Sequence, residues 1–451
     1  MKRQKIYEGI MVLAIAGIYF FSFFQRVAVP GTIFNDLQSE FSISAAEVTR
    51  LSAVYLFIYA AMQPFVGMLA DRFGGIKVLL LSGILLCIGS IAFPLSSGIM
   101  SLYCSRALVG VGASAMYLCM IKEADLSFGG KNFVPILGVL CLIGYSGGLA
   151  GTRPFRIVVE GVGWRHACMF IAMLSCLVLL ITWAASCKVK RKNERRKDDG
   201  IWNRIFTVTK NPLNYPVFLT TALTFAIYFS LQATIGPKFI EDICGVSPLI
   251  SSGYTFIMML STMAMLFFSG FISRVLGNKR RVFLLFSGLS TMIAILMFLV
   301  GIIFRMPLPF YLPAYILLAL AAGTTPVLVS LTKEINSSDN VAIAIGLLNT
   351  SAYVMVAIFS QLIGVVLDRF SGSANIIGKN MVYPSEAYIT LFVILLGFSV
   401  IAFIASIYSR ETNGENIYMV HQRGEPELFC HSLGRKRLGR RNEDTGFQER
   451  G

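Results

Sequence analysis

The sequence predicts an all-α membrane protein with twelve transmembrane helices in two pseudo-symmetric six-helix bundles. Composition is the first reason. Of 451 residues, 55% are hydrophobic and only 14% charged, with a mean hydropathy of +0.70, whereas a soluble domain is about half apolar and about one quarter charged. This excludes a soluble enzyme, a disordered chain and a nucleic-acid binder, and it suffices for twelve helices of about 20 residues each. The second reason is a one-sided distribution of positive charge. The third is a repeat between the halves of the chain.

In chain order, apolar segments lie near 9–34, 48–70, 77–97, 99–122, 134–157 and 164–187, then near 214–240, 249–273, 281–304, 308–332, 341–367 and 385–409. The basic start MKRQKIYEGI resembles a signal-peptide n-region. The run after it passes Phe24 and reaches Val29-Pro30 without a small-x-small cleavage site, so it reads as a retained first helix. The polar stretch 188–213 separates six spans from six and reads as a linker between bundles 1–187 and 214–409. The tail 410–451 is polar, rich in Gly and Arg, and expected to be disordered; its GRKRLGRR segment at 434–441 is a candidate contact for anionic lipid. Nine cysteines without a CxxC pair read as small apolar packers, and three histidines without ligand spacing make a metal site unlikely to be encoded.

With the N-terminus in the cytoplasm, the cytoplasmic segments hold 29 Lys/Arg and 16 Asp/Glu, and the outer loops 7 and 8. Three arginines, Arg26, Arg106 and Arg153, stay inside spans. The net charge of +15 thus divides into +13 inside, −1 outside and +3 in the membrane. That bias predicts cytoplasmic termini. The halves repeat: Gln25 and Pro30 match Gln232 and Pro237, and the span 4 ending Gly112…Lys122-Glu123 matches Gly323…Lys333-Glu334 in span 10. Such duplication is typical of secondary transporters.

Between spans 2 and 3 stands Gly67-Met-Leu-Ala-Asp71-Arg72-Phe-Gly74-Gly75-Ile-Lys77. It resembles the signature loop of the major facilitator superfamily, G-x-L-a-D-r-x-G-x-r/k, at the position that family uses. Arg106-Ala-Leu-Val-Gly110-Val-Gly112 resembles the family's R-x-x-x-G-x-G element. The glycine-rich span 5 (Gly144, Gly147, Gly148, Gly151), followed by Gly163-Trp164-Arg165, is similar to bacterial members. The resemblance covers residues 9 to 409. It implies two bundles around a central site, alternating access, and a conformational latch at Gly67, Asp71, Arg72, Gly74 and Lys77. Physically, Gly67 is expected to allow a close helix approach, and Asp71 to sit at a helix N-terminus or pair with an arginine. The second-half copy, Gly270 to Arg281, has Arg274 in place of the acid and predicts a weaker latch.

An arginine within a span costs a few kcal/mol or more, so it normally faces the interior with a partner or a task. The stretch Phe24-Gln25-Arg26-Val-Ala-Val-Pro30 resembles the first helix of the organic-anion and sugar-phosphate branch. That implies Arg26 as an anion clamp, the alternative being an arginine that snorkels to the surface. Arg106 either lines the cavity or pairs with the Asp71 region. Arg153 is expected to snorkel. Gln25 and Ala113 stand where the branch has acids, and no acid is placed mid-membrane, which weakens proton symport. Asp36, Glu241 and Asp242 near the outer surface are the remaining coupling candidates, and uniport is the other option. Glu123 and Glu334, each beside a lysine, read as anchored pairs.

Tyr55, Tyr59 and Gln63 share one helix face, as do Tyr228 with Gln232 and Asn349 with Tyr353. Each set either faces a hydrated cavity or bonds between helices. Tyr117 and Tyr145 are further cavity candidates, and the span 5 glycines are expected to serve packing and bending. No phosphate loop, catalytic constellation or cofactor motif is present, so the expectation is a non-enzymatic transporter that needs no ATP or cofactor. Its expected partners are a small organic solute, preferably an anionic carboxylate or phosphate ester, a coupling ion if any, and the lipid bilayer. The expected setting is a monomer in a bacterial inner membrane. A drug or siderophore exporter and a non-transporting sensor are the alternatives.

Overall fold

The computed structural model describes residues 2–128, 133–189, 201–337, 340–377 and 380–418. The basic segment 434–441, residues 190–200 of the linker and the Asp71 side chain lie outside the described residues. Among the described residues, eleven helices are long and apolar enough to cross a membrane. The pair Ile136–Ala150 and Arg153–Val162, bent by 44°, makes a twelfth if read as one span.

Local chemistry sets the starts and breaks. Span 2, Ala45–Phe73, opens on a capping box in which the Ser44 hydroxyl accepts from the Glu47 amide and the Glu47 carboxylate accepts from the Ser44 amide. Four spans are interrupted in matching places. Span 1 runs Lys2–Ala28, turns at Gly31–Ile33 and resumes as Phe34–Phe41. Span 7 runs Asn214–Ser230, widens into a π turn at Leu231–Ile235 and resumes as Gly236–Cys244. Spans 4 and 10 break at Ala115 and Thr324, between Ile99–Ser114 and Met116–Phe128 and between Leu312–Gly323 and Thr325–Glu334. Paired discontinuities in the two repeats are a pointer to a transporter's binding site.

Span 5 presses on span 1 through its glycines. A Cβ on Gly147 would fall 2.0 Å from the Phe20 carbonyl oxygen, and one on Gly144 would fall 2.0 Å from the Tyr19 ring. That contact seats the Phe23–Arg26 turn against bundle 1, and the 44° bend follows just beyond Gly151.

The bundles join most tightly at one end. There Asn35 donates to Glu241 at 2.6 Å, Gln38 donates to Tyr383 at 2.9 Å, and the Ala46 amide donates to both Asp368 oxygens at 3.2 Å. Ser52 meets Thr234 and Ser360 at 3.4 and 3.5 Å. A short antiparallel hairpin, Asn375–Ile377 with Asn380–Val382, covers this end. It is held by buried Lys238, which donates to the Met381 carbonyl and to Asp242 at 2.7 Å.

Several expectations are corrected here. Lys238 and Asp242, with side chains 0% and 1% exposed, are a buried ion pair inside span 7, not loop charges. The i,i+4 spacing signals such a pair, but the proximity of both residues to a loop hid it. Gly67 makes no close approach: a Cβ there would meet nothing within 4 Å, because the signature loop sits at the end away from the sealed contact. Glu334 pairs with Arg280 at 3.0 Å rather than with its neighbouring lysine. The tail is ordered at its start, since Glu411 accepts from the Arg280 and Arg281 amides and Thr412 donates to Glu334. The linker contains a helix, Ile201–Lys210, and Asn211 ties it to the Ile335 carbonyl at 2.8 Å.

Candidate functional site

Arg26 sits in the last turn of the first helix of span 1, only 2% exposed. Its Nε donates to the Tyr55 hydroxyl at 3.4 Å and its Nη1 to the Tyr353 hydroxyl at 2.5 Å, the latter across the bundle boundary. The Phe23, Tyr59 and Tyr353 ring centroids lie 4.9, 4.4 and 4.9 Å from the guanidinium carbon, so cation–π attraction replaces part of the lost hydration. Nη2 is buried without a partner. Arg26 does not snorkel, and among the described residues no carboxylate pairs with it.

Next to it, a narrow cavity opens between the bundles. Phe23, Val27 and Tyr145 line it from bundle 1; Phe225, Tyr228, Phe229, Gln232 and Tyr353 line it from bundle 2. Tyr228 accepts from Thr262 at 3.0 Å, and Gln232 donates to the Thr255 carbonyl at 3.1 Å. The Gln232 Oε1 is buried with no partner. The Arg26 guanidinium lies against this wall of rings, 4.9 Å from the Phe23 and Tyr353 centroids.

The other expected residues separate into two groups. Tyr55, Tyr59, Tyr145, Tyr228, Gln232 and Tyr353 gather around Arg26 or its cavity, and Tyr117 stacks at a tilt on Tyr19 at 5.6 Å, one ring behind Phe23. Gln25, Gln63 and Arg106 are bound elsewhere. Gln25 donates to Ser90 at 3.2 Å and Gln63 to the Ser114 carbonyl at 3.3 Å. Arg106 places Nε, Nη1 and Nη2 on the carbonyls of Leu51, Gln25 and Val29 at 3.4, 3.0 and 3.1 Å. It thereby satisfies acceptors at the end of the span 1 helix that would otherwise be orphaned, an arrangement outside both expectations. Asn349 is half-buried and Arg153 exposed. The sequence reading passed over Phe23, Phe225 and Phe229, because Phe in an apolar run carries no mark of its own.

Comparison with known proteins follows the same lines. The Major Facilitator Superfamily model matches residues 15–360. The sialic acid transporter NanX of Escherichia coli is 22% identical over 55% of this chain and 61% of its own. Monocarboxylate transporter 2 of Mesocricetus auratus is 24% identical over 52% of this chain and 51% of its own. The chain therefore spans about half to three fifths of the length of these curated relatives. Among solved structures, a bacterial homologue of the lysosomal transporter Spinster superposes with a TM-score of 0.73 at 18% identity, covering 89% of this chain and 97% of that one. The nucleoside transporter NupG gives 0.72 at 14% identity, covering 88% and 99%. These likenesses establish the fold. With the family model spanning most of the chain and the duplicated twelve-span architecture in place, this protein belongs to the Major Facilitator Superfamily.

Proposed function

We propose that the chain is a secondary transporter that moves a small organic anion by alternating access, with the anion held by Arg26 between the bundles. One observation carries this reading: a guanidinium buried at the bundle boundary, without a counter-carboxylate among the described residues and with one nitrogen unpartnered. A buried charge without a partner costs several kcal/mol, and an anionic solute supplies that partner through charge-assisted hydrogen bonds. The relatives named for transport of monocarboxylates, sialic acid and, as a probable function, nitrate support the choice of sign.

Tyr55, Tyr59, Tyr145, Tyr228, Gln232 and Tyr353 complete the site. Gln25, Gln63 and Arg106 hold the helices that present it. The positive-inside bias orients both termini to the cytoplasm of a bacterial inner membrane, which makes the sealed end the outer one. The latch loop at Gly67–Lys77 then has its task when the cytoplasmic ends close, so Gly67 is free in the present state. The test is anion uptake into proteoliposomes with native protein and Arg26→Ala. Loss of uptake with a normally inserted protein is expected. Undiminished uptake overturns the clamp.

A further inference from the structure

The donors around Arg26 specify more than the sign of the solute. We infer that the site takes a monoanionic carboxylate with a flat apolar body and a hydrogen-bond donor at its far end. The inference rests on the anion reading above.

The charge limit comes from counting partners. Arg26 Nε and Nη1 already serve the Tyr55 and Tyr353 hydroxyls, which leaves Nη2. A tyrosine oxygen that accepts from arginine keeps its own hydrogen to give. The open set is therefore the second Nη1–H, both Nη2–H and the Tyr353 and Tyr55 O–H groups, donors only, which can meet the oxygens of a carboxylate around a single positive charge. Among the described residues no cation lines the cavity itself, and the Arg26 guanidinium lies behind its Phe23 and Tyr353 rings. A phosphate ester or dicarboxylate would bring a second negative charge into a low-dielectric site with nothing to meet it, a desolvation loss of several kcal/mol.

The body and far pole follow from the rest of the wall. Phe225 stacks on Phe229 at 5.7 Å and meets Tyr353 edge-on at 5.5 Å, while Phe23 faces Tyr145 at 4.7 Å. Such rings favour a flat apolar group between them. The same wall includes Gln232, whose amide orientation is set by its bond to the Thr255 carbonyl, with Oε1 buried and unpaired. An unsatisfied buried acceptor costs about 1–3 kcal/mol, and a solute N–H or O–H would remove that cost.

Binding to the purified full-length protein, read by thermal shift and competition, uses four matched probes: benzoate, benzamide, phenyl phosphate and 4-aminobenzoate. Benzoate is expected to bind, and benzamide and phenyl phosphate are not. 4-Aminobenzoate should bind about tenfold more tightly than benzoate. The near-isosteric Gln232→Met should erase that tenfold gap, with folding checked independently by the ligand-free melting temperature and monodisperse elution; Gln232→Leu should do the same. Phenyl phosphate binding as well as benzoate, a gap that survives both variants, or no binding by any probe overturns the proposed class. Arg26-dependent phenyl phosphate binding would still leave the anion reading standing. Benzoate binding that Arg26→Lys and Arg26→Ala leave untouched sinks both.

Discussion

Two arginines lie buried in bundle 1, and they are used in opposite ways. Arg106, 1% exposed, has each of its three nitrogens on a backbone carbonyl. Arg26, 2% exposed, has two nitrogens on hydroxyls and a third on nothing. Carbonyls are permanent acceptors fixed by the fold, so Arg106 is a structural tie. Tyrosine hydroxyls accept and still donate, so Arg26 sits within a donor shell that awaits an acceptor. Burial alone does not distinguish a clamp from a tie; the chemistry of the partners does.

The comparison breaks most visibly if Arg106 is removed. Arg106→Ala strands carbonyls in spans 1 and 2, and each buried unsatisfied acceptor costs about 1–3 kcal/mol. The expected outcome is a protein that accumulates poorly and unfolds at a clearly lower temperature in detergent. Arg26→Ala should do the reverse: uptake falls at least about hundredfold, in line with losing a charged hydrogen-bonded partner, while the ligand-free melting temperature holds or rises because an unpaired charge is gone. Equal destabilisation by the two variants would erase the distinction.

Gly147→Val sharpens the packing side. Its side chain meets the Phe20 backbone, so spans 1 and 5 must separate, with an expected loss of about 1–3 kcal/mol in thermal unfolding and a misplaced Arg26. Tyr353→Phe removes one hydroxyl from the clamp and the bundle bridge together; anion affinity should fall about tenfold with stability nearly unchanged, measured by competition binding. The smallest effect is expected from Gln38→Ala at the sealed end. It deletes the bond to Tyr383, worth about 0.5–1.5 kcal/mol, and should raise the population open at that end by up to about tenfold, read from spin-label distances between the hairpin and the 34–41 helix.

Much of the fold was legible because hydropathy and charge bias are long-range patterns that local detail cannot obscure. The twelve spans and the matched halves required only that. Arg26 was legible for the same reason, as a charge where charge is costly. The partners were not. Nothing in the spacing around Arg106 says that its guanidinium reaches the Gln25 and Val29 carbonyls, because those acceptors are backbone and leave no trace in residue identity. Lys238 and Asp242 were hidden by their nearness to a loop, where a charge is unremarked; the fold draws that stretch inward beneath the hairpin. The ordered beginning of the tail was missed because the partners of Glu411 and Thr412, Arg280 and Glu334, sit at the ends of two helices distant in sequence.

The open nitrogen of Arg26 also has an electrical consequence. The Lys238–Asp242 pair is neutral and performs no net work in a membrane field, and Arg106 is held by backbone carbonyls. On the proposed function, Arg26 differs between empty and occupied carriers: the empty site holds its positive charge, and a bound monoanion would cancel it. A full membrane crossing by one charge exchanges about 2.3 kcal/mol per 100 mV. On that reading the loaded carrier moves one positive charge fewer than the empty one, so voltage acts more strongly on the return of the empty carrier. Currents recorded during solute exchange, where every crossing is loaded, should be far smaller than those recorded during net flux.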